Sequence, residues 1–360
     1  MKKLVLLALL AACGRGEASS VTFGAAGPWK EAYGIMNRRG IELALDQINA
    51  RPERRAHPLQ IVWGDDEGDG QKATRIAQRF VDSSGVVGVI GHVNSAAMVA
   101  AAQVYDGHLA AIATTATSPA LTGISPWVFR VSPSDSVNGI GIAAFARRLG
   151  RRRAAILFEN NTYGRGLSDA FRRGFQGEIL SVDPIGEERE QNFEPYVSYY
   201  KRTAPDVIFV AGTDGAGLAL LREVRRQQLS ADLIGGDGWS GMSVDTARAT
   251  GVYVGVPFTA TDPRPDAQRF VGAFTSRFRM TPDENAALAY DATMLLDEAA
   301  TAVGPDRAKI RQYVASRSAE HPYRGVTGAL WFGPDGDPVG KSVVMTRIDH
   351  GTLRVAEASR

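Results

Sequence analysis

The feature that most constrains this chain is an alternation that repeats along most of its length. Short apolar runs, Val21 to Ala26, Leu59 to Gly64, Val86 to Gly91, Ala111 to Thr115, Ala154 to Phe158, Ile179 to Val182, Asp206 to Gly212 and Leu233 to Gly236, have strand length. Between them lie segments of helical period: Tyr33 to Ala50, Gln71 to Ser83, Ser95 to Tyr105, Ser136 to Leu149, Gly166 to Phe175, Tyr196 to Arg202 and Gly215 to Gln228. Strands that are apolar throughout, each followed by a helix, build parallel sheets covered on both faces, so the pattern predicts a doubly wound α/β fold. After Pro257 the pattern changes. Helical segments Ala267 to Arg279, Asn285 to Val303 and Asp306 to Arg317 follow one another, and then come short strands, Thr327 to Phe332, Ser342 to Ile348 and Thr352 to Ala356, the last two flanking the turn Asp349-His350-Gly351. One long sheet does not accommodate this order; two lobes with several chain crossings do.

At 360 residues and 44% hydrophobic, the chain is long enough for two cores. It opens with Lys2 and Lys3, an apolar run from Leu4 to Leu10 and small residues to Cys13. That is the layout of an export signal, too short to span a bilayer. Leu10-Ala11-Ala12-Cys13 resembles a bacterial lipobox, which makes Cys13 the expected lipidation site and first mature residue, residues 1–12 the signal and 13–20 a linker. Cys13 is the only cysteine, so no intramolecular disulfide forms. Loss of Lys2 and Lys3 takes Lys+Arg from 41 to 39, against 39 Asp+Glu. A neutral mature chain offers no field for nucleic acid, and the run Arg147-Arg148 with Arg151-Arg152-Arg153 reads as a solvated helix end at Gly150.

Catalytic and metal chemistry have little support. There is no G-x-S-x-G elbow, and His57, His92, His108, His321 and His350 are scattered without a metal-binding spacing. The acidic stretch Asp65-Asp66-Glu67-Gly68-Asp69-Gly70 begins like a calcium loop, but Ile76 stands where the bidentate Glu is required. Gly68-Asp69-Gly70-Gln71-Lys72-Ala73 fits a dinucleotide fingerprint only by setting carboxylates against the pyrophosphate. A polar strand-to-helix loop remains, and no cofactor or metal is expected.

Polar groups do gather at the expected strand ends. Asn94 and Ser95 follow one strand, Thr114, Thr115, Thr117 and Ser118 the next, Tyr163 a third, Asp214 a fourth, and Asp237 stands in Gly235-Gly236-Asp237-Gly238. In a doubly wound sheet these ends share an edge, where ligands bind. Ser95 reads as the cap of a helix whose first-turn alanines leave its amides uncovered, a seat for an anion. Hydroxyls and free amides on one lobe thus face a tyrosine and two carboxylates on the other. That polarity suits a zwitterion, its carboxylate at Ser95 with Thr115 or Thr117 and its ammonium at Asp237.

The same pieces, in order, resemble the bacterial leucine/isoleucine/valine-binding proteins, the amino-acid branch of the type I periplasmic substrate-binding proteins of ABC transporters. The resemblance rests on Gly27-Pro28, Gly40 to Ala50, Asp65-Asp66, Val89 to Ser95, Ala116 to Thr122, Phe129-Arg130, Tyr163 to Gly166, Pro205 to Phe209, Tyr290 to Ala292 and Gly325 to Gly328. It implies two lobes joined by a three-stranded hinge, 21–134 plus 262–333 and 135–261 plus 334–360. It further implies that Ser95, Thr115 and Thr117 bind the ligand carboxylate, that Tyr163 covers the ligand, that Asp237 pairs with the α-ammonium and that Tyr33 forms an aromatic wall. Asp214 stands where an aromatic contact is common, and Thr114-Thr115 replaces a Pro-small pair, which favours a ligand with additional donors. The implied protein is no enzyme. It is an exported lipoprotein, held to a membrane by its lipid at the periplasmic or cell-surface side, that passes an amino acid or related amide to an ABC permease. The alternative is a ligand-sensing lipoprotein of the same fold that signals to a membrane partner.

Overall fold

The computed structural model describes residues 21–186 and 192–356, so Cys13 and the leader lie outside the described residues. Among these, β1 (Thr22–Gly27), α1 (Ala32–Asn49), β2 (Gln60–Asp65), α2 (Gly70–Asp82), β3 (Val86–Gly91), α3 (Ser95–Tyr105), β4 (Ala111–Ala113) and β5 (Val128–Arg130) form the first βα array. Its strands pair in parallel in the order β2-β1-β3-β4-β5. The strand order reverses at β1, whose two neighbours are β2 and β3. Apolar clusters cover both faces of this sheet, one around Phe23, Ile90 and Ile112, the other around Phe80, Val89 and Tyr105.

The second array starts with α4 (Asp135–Arg148) and continues through β6 (Arg153–Glu159), α5 (Thr162–Gly174), β7 (Glu178–Ile185), α6 (Glu194–Thr203), β8 (Val207–Ala211), α7 (Asp214–Arg226), β9 (Asp232–Gly235) and β10 (Tyr253–Val256). The chain returns to the first lobe for α8 (Pro265–Phe278), α9 (Glu284–Val303), α10 (Arg307–Ala315) and the hairpin β11 (Tyr323–Gly325) and β12 (Gly328–Leu330). It then crosses again, and β13 (Val344–Asp349) and β14 (Thr352–Val355) add antiparallel strands to the second sheet. That sheet runs β14-β13-β10-β9-β8-β6-β7. Its order reverses at β6, between β7 and β8, so the two lobes share one winding.

Local chemistry fits these boundaries. Asp69, Asn161, Asp283 and Asp306 cap α2, α5, α9 and α10 by accepting from backbone N–H groups of Lys72, Gly164, Ala286 and Lys309. On α1, Gly40 lies against the Ala286 carbonyl of α9, and the absence of a Cβ allows that approach. The strands β5 and β10, three and four residues long, carry no alternation of their own and were not expected. Helix α5 starts at Thr162, earlier than the Gly166 expected from sequence, because the Asn161 cap overrides the weak helical preference of Gly164 and Gly166.

Arg130, at the end of β5, ties the crossings together. Its guanidinium is 2% exposed. Nε and Nη2 donate to the two carboxylate oxygens of Asp337 at 2.6 Å each, Nη1 donates to the Thr117 and Ser118 carbonyls at 2.9 and 2.8 Å, and Nη2 donates to Thr122 Oγ1 at 2.6 Å. Thus the loop after β4, the end of β5 and the crossing before β13 are fixed to one planar group.

The lobes meet where Gly166 of α5 faces Pro119, and a Cβ at that glycine would stand 2.7 Å from Pro119 Cδ. Gly166→Val should therefore drive the lobes apart. Small-angle scattering should report a radius of gyration larger than wild type's, against the ~20 Å of a compact chain of this length, with an unchanged far-UV spectrum. An unchanged radius would show that this contact does not set the lobe separation.

Candidate functional site

The carboxyl ends of both parallel sheets face each other across a cavity of about 680 Å³. From the first lobe, Tyr33, Asn94, Ser95 and Thr115 line it; from the second come Asn161, Tyr163, Thr213, Asp214 and Asp237; and Asp283, Glu284 and Asn285 at the start of α9 form a further wall. Six of the seven expected residues thus border one space. Thr117 does not line it. It is fully buried, its Oγ1 beneath the cavity next to Asp135.

The first-lobe wall is built around α3. Asn94, rather than Ser95, is the cap residue, and its side chain makes no capping bond, so Ser95 is the first helical residue. Ser95 Oγ accepts from the Ser118 N–H at 3.2 Å and pins the loop that Arg130 holds from behind. Thr115 Oγ1 donates to the Val93 carbonyl at 3.3 Å. Asn94 Nδ2 donates to Tyr33 Oη at 3.0 Å, which fixes the aromatic ring at the cavity edge. Burial pushes the Tyr33 phenol up to about 12, with Glu31 and, from the second lobe, Glu159 and Asp214 adding to the effect. It therefore remains a neutral donor and acceptor.

In the second lobe, Glu159 at the end of β6 positions the opposite wall. It is 3% exposed. Oε1 accepts from Thr213 N–H at 2.9 Å and Thr213 Oγ1 at 2.6 Å, and Oε2 accepts from Asn161 Nδ2 at 3.2 Å. One carboxylate thereby sets the starts of α5 and α7, which deliver Tyr163 and Asp214. Tyr163 Oη donates to Asp237 Oδ1 at 2.8 Å and accepts from Gly238 N–H at 3.1 Å. Asp237 opens a 3-10 helix, Asp237–Val244. The Asp214 carboxylate packs over Gly241 of that helix, where a Cβ would collide with it.

Carboxylates that sequence reasoning missed surround this set. Burial raises Asp237 to about 6, opposed by the Tyr163 hydrogen bond. Asp135, at the first turn of α4, is fully buried, and burial followed by repulsion from Asp237 raises it well above the ordinary carboxyl range; Thr117, Arg130 and Asn138 only moderate this. Glu284 is 1% exposed and raised in the same way, by burial and then by Asp283 and Asp237. An Asp-Glu-Asn sequence at a helix start signals a cap, and Asp283 is one. Its placement in a cleft depends on the chain's return from β10, which no local pattern encodes.

The acidic stretch after β2 has a structural role. Asp66 Oδ1 accepts from Gly68 N–H at 2.8 Å, and Oδ2 lies 2.6 Å from His92 Nδ1, whose Nε2 is 2.9 Å from Tyr105 Oη. This chain is wholly buried. Among the described residues no group of three or more His, Cys, Asp or Glu is arranged to hold a metal ion, and no helix is long and apolar enough to cross a membrane.

Two like-wound lobes that turn their strand ends toward one polar cavity define a ligand-binding fold. A profile of the family described as periplasmic binding protein matches residues 21–352. Leu/Ile/Val-binding protein homolog 2 of Brucella abortus (strain 2308) is 26% identical over 345 residues, 93% of this chain and 92% of the relative. An ABC transporter substrate-binding protein of Desulfitobacterium hafniense, solved in complex with Leu, is 29% identical, with a TM-score of 0.80 over 94% of this chain and 100% of its own. The branched-chain amino acid transporter substrate binding protein of Streptococcus pneumoniae, solved with isoleucine, shares the fold at a TM-score of 0.86 and 23% identity, covering 94% of this chain and 99% of its own. The chain belongs to the periplasmic binding protein family. It is an extracytoplasmic ligand-binding protein, and not an enzyme.

The Asp135 carboxyl yields a pH prediction. The unfolded chain releases this proton near pH ~4. The folded chain retains it to higher pH, so folding stability falls as pH rises above ~4 and the loss ends only where the folded group ionises. Asp135→Asn cannot ionise. Its free energy of unfolding, measured by chemical denaturation, should gain on wild type's between pH 4.5 and 7.5, by about 1.4 kcal/mol for each unit over which the folded group alone keeps its proton. A difference that stays constant over this range would contradict the assignment.

Proposed function

We propose that the cavity binds an α-amino acid or a related amide in its zwitterionic form and delivers it to an ABC permease. The observation that carries this reading is the polarity of the two walls. On one side, Ser95 opens α3, whose cap residue Asn94 makes no side-chain bond to the first-turn amides, and Asn94, Ser95 and Thr115 line the cavity. On the other, Asp237 is buried and receives a hydrogen bond from a neutral tyrosine. An α-carboxylate placed at the helix start gains hydrogen bonds and the favourable end of the helix dipole. An α-ammonium near Asp237 replaces the water that burial has removed from the carboxylate, and holds it ionised.

Binding of a ligand that contacts both walls stabilises the closed arrangement over an open one, since only the closed state offers both sets of partners. Tyr163 and Tyr33, one from each lobe, close over the bound molecule. Residues 21–134 with 262–333 and residues 135–261 with 334–360 are the two bodies that move. The Leu/Ile/Val names of the relatives support an amino-acid ligand, and the transporter titles of the structural neighbours support delivery to a permease. Cys13 in its lipobox supports tethering to a membrane by lipid, with release to the medium opposed by the acyl chains.

Ser95→Ala and Asp237→Ala should each weaken binding of the cognate amino acid by about 1–3 kcal/mol, the cost of an unpaired polar group. Isothermal titration of protein freed of carried-over ligand measures this. Unchanged affinity in both variants would remove the zwitterion seat.

A further inference from the structure

Glu284 has no role in the zwitterion seat, and its position is unusual. It lines the cavity, it is 1% exposed, and its Oε2 has no hydrogen-bond partner in the structure. Asn285 Nδ2 reaches Oε1 only at 3.5 Å. A buried carboxylate oxygen without a donor is a substantial penalty that folded proteins seldom retain without cause. Ser240 moderates the burial of this carboxyl only in part. Asp283 precedes it, and Asp237 and Ser240 face it from the 3-10 helix of the second lobe. Arg39 is the one basic residue among the described residues that line the cavity, and its guanidinium is engaged at the rim with Met280 Sδ and the Phe278 ring.

A charge count along the cavity leads to the same place. Asp214, Asp237, Asp283 and Glu284 line it. A zwitterion is neutral overall and its ammonium answers Asp237 alone, so an aliphatic amino acid leaves Glu284 as it stands in the empty protein. A ligand whose side chain ends in a cation would answer it.

Building on the reading of the cavity as an α-amino-acid site, we propose that the ligand is an α-amino acid with a basic side chain, its distal ammonium or guanidinium seated on Glu284. A cavity of about 680 Å³ has room for such a chain beside the seat at Ser95 and Asp237. Without a ligand, burial and the neighbouring carboxylates hold Glu284 protonated well above the ordinary range. An incoming cation favours the ionised form, and the orphaned oxygen gains a charged donor.

The test is isothermal titration of the purified full chain, refolded to strip carried-over ligand, with L-lysine, L-ornithine, L-arginine, L-leucine and L-glutamine, for wild type and Glu284→Gln. At least one basic amino acid should bind wild type tenfold or more tighter than leucine and glutamine. Glu284→Gln should weaken that ligand about 10- to 100-fold, the scale of a lost charge-assisted hydrogen bond, and leave leucine within about threefold. Leucine or glutamine binding as tightly as every basic amino acid, or an unaltered basic ligand in Glu284→Gln, would overturn the basic-ligand assignment and leave the amino-acid reading standing. Binding by none of the five would overturn the amino-acid reading itself, and this proposal with it. Should Glu284→Gln fail to fold, the wild-type ranking alone decides.

Discussion

The direction of the strands in the two parallel sheets is the constraint on which the rest depends. A parallel sheet places the carboxyl ends of all its strands on one edge and the N-termini of the following helices above it. Here this happens twice, in the whole of the first sheet and in β6 to β10 of the second, to which β13 and β14 add antiparallel, with order reversals at β1 and at β6, and the two edges are turned toward each other. The cavity therefore receives helix starts, capping residues and short loops. Its polarity follows from the winding. Arg130 then fixes the loop that carries Thr117 and Ser118 to the crossing at Asp337, so the first-lobe seat and the hinge are held by one guanidinium.

The electrostatics of the cavity divide into two kinds of carboxylate. Glu159 is satisfied from both sides and acts as a positioning group that sets the starts of α5 and α7. Asp66 is equally internal, matched to His92 and the turn at Gly68. Asp135, Asp237 and Glu284 are different. Burial raises all three, and their neighbours include one another. Such a set favours protonated forms in the empty cleft and ionised forms when cations arrive. The cleft is poised for ligand at a cost to the stability of the unliganded chain, as sites of function commonly are.

Much of the fold was legible because it rests on local periodicity. The helices Tyr33 to Ala50 and Gln71 to Ser83 and the all-apolar strand Val86 to Gly91 fall within a residue or so of α1, α2 and β3. The strands β5 and β10 were not legible, since three or four residues held in a sheet by their neighbours carry no period of their own. The site shows the same division. Tyr33, Ser95, Thr115, Tyr163, Asp214 and Asp237 follow strands directly, and the sheet rule brings them to the cavity. Thr117 falls beneath the cavity because the loop turns inward toward Arg130. Ser95 is one position inside the helix, with Asn94 as its cap. Asp135 and Glu284 reach the site through chain crossings far apart in sequence, and neither propensity nor spacing reports such encounters.

The central claim is that both charges of an α-amino acid are read, one by each lobe. The most direct measurement compares three matched ligands on the wild-type protein by titration calorimetry: the best-binding amino acid, its α-hydroxy acid and its decarboxylated amine. The account predicts that loss of either the ammonium or the carboxylate weakens binding at least tenfold, the scale of a buried charged group left without its partner. Equal affinity for the amino acid and either analogue would contradict it.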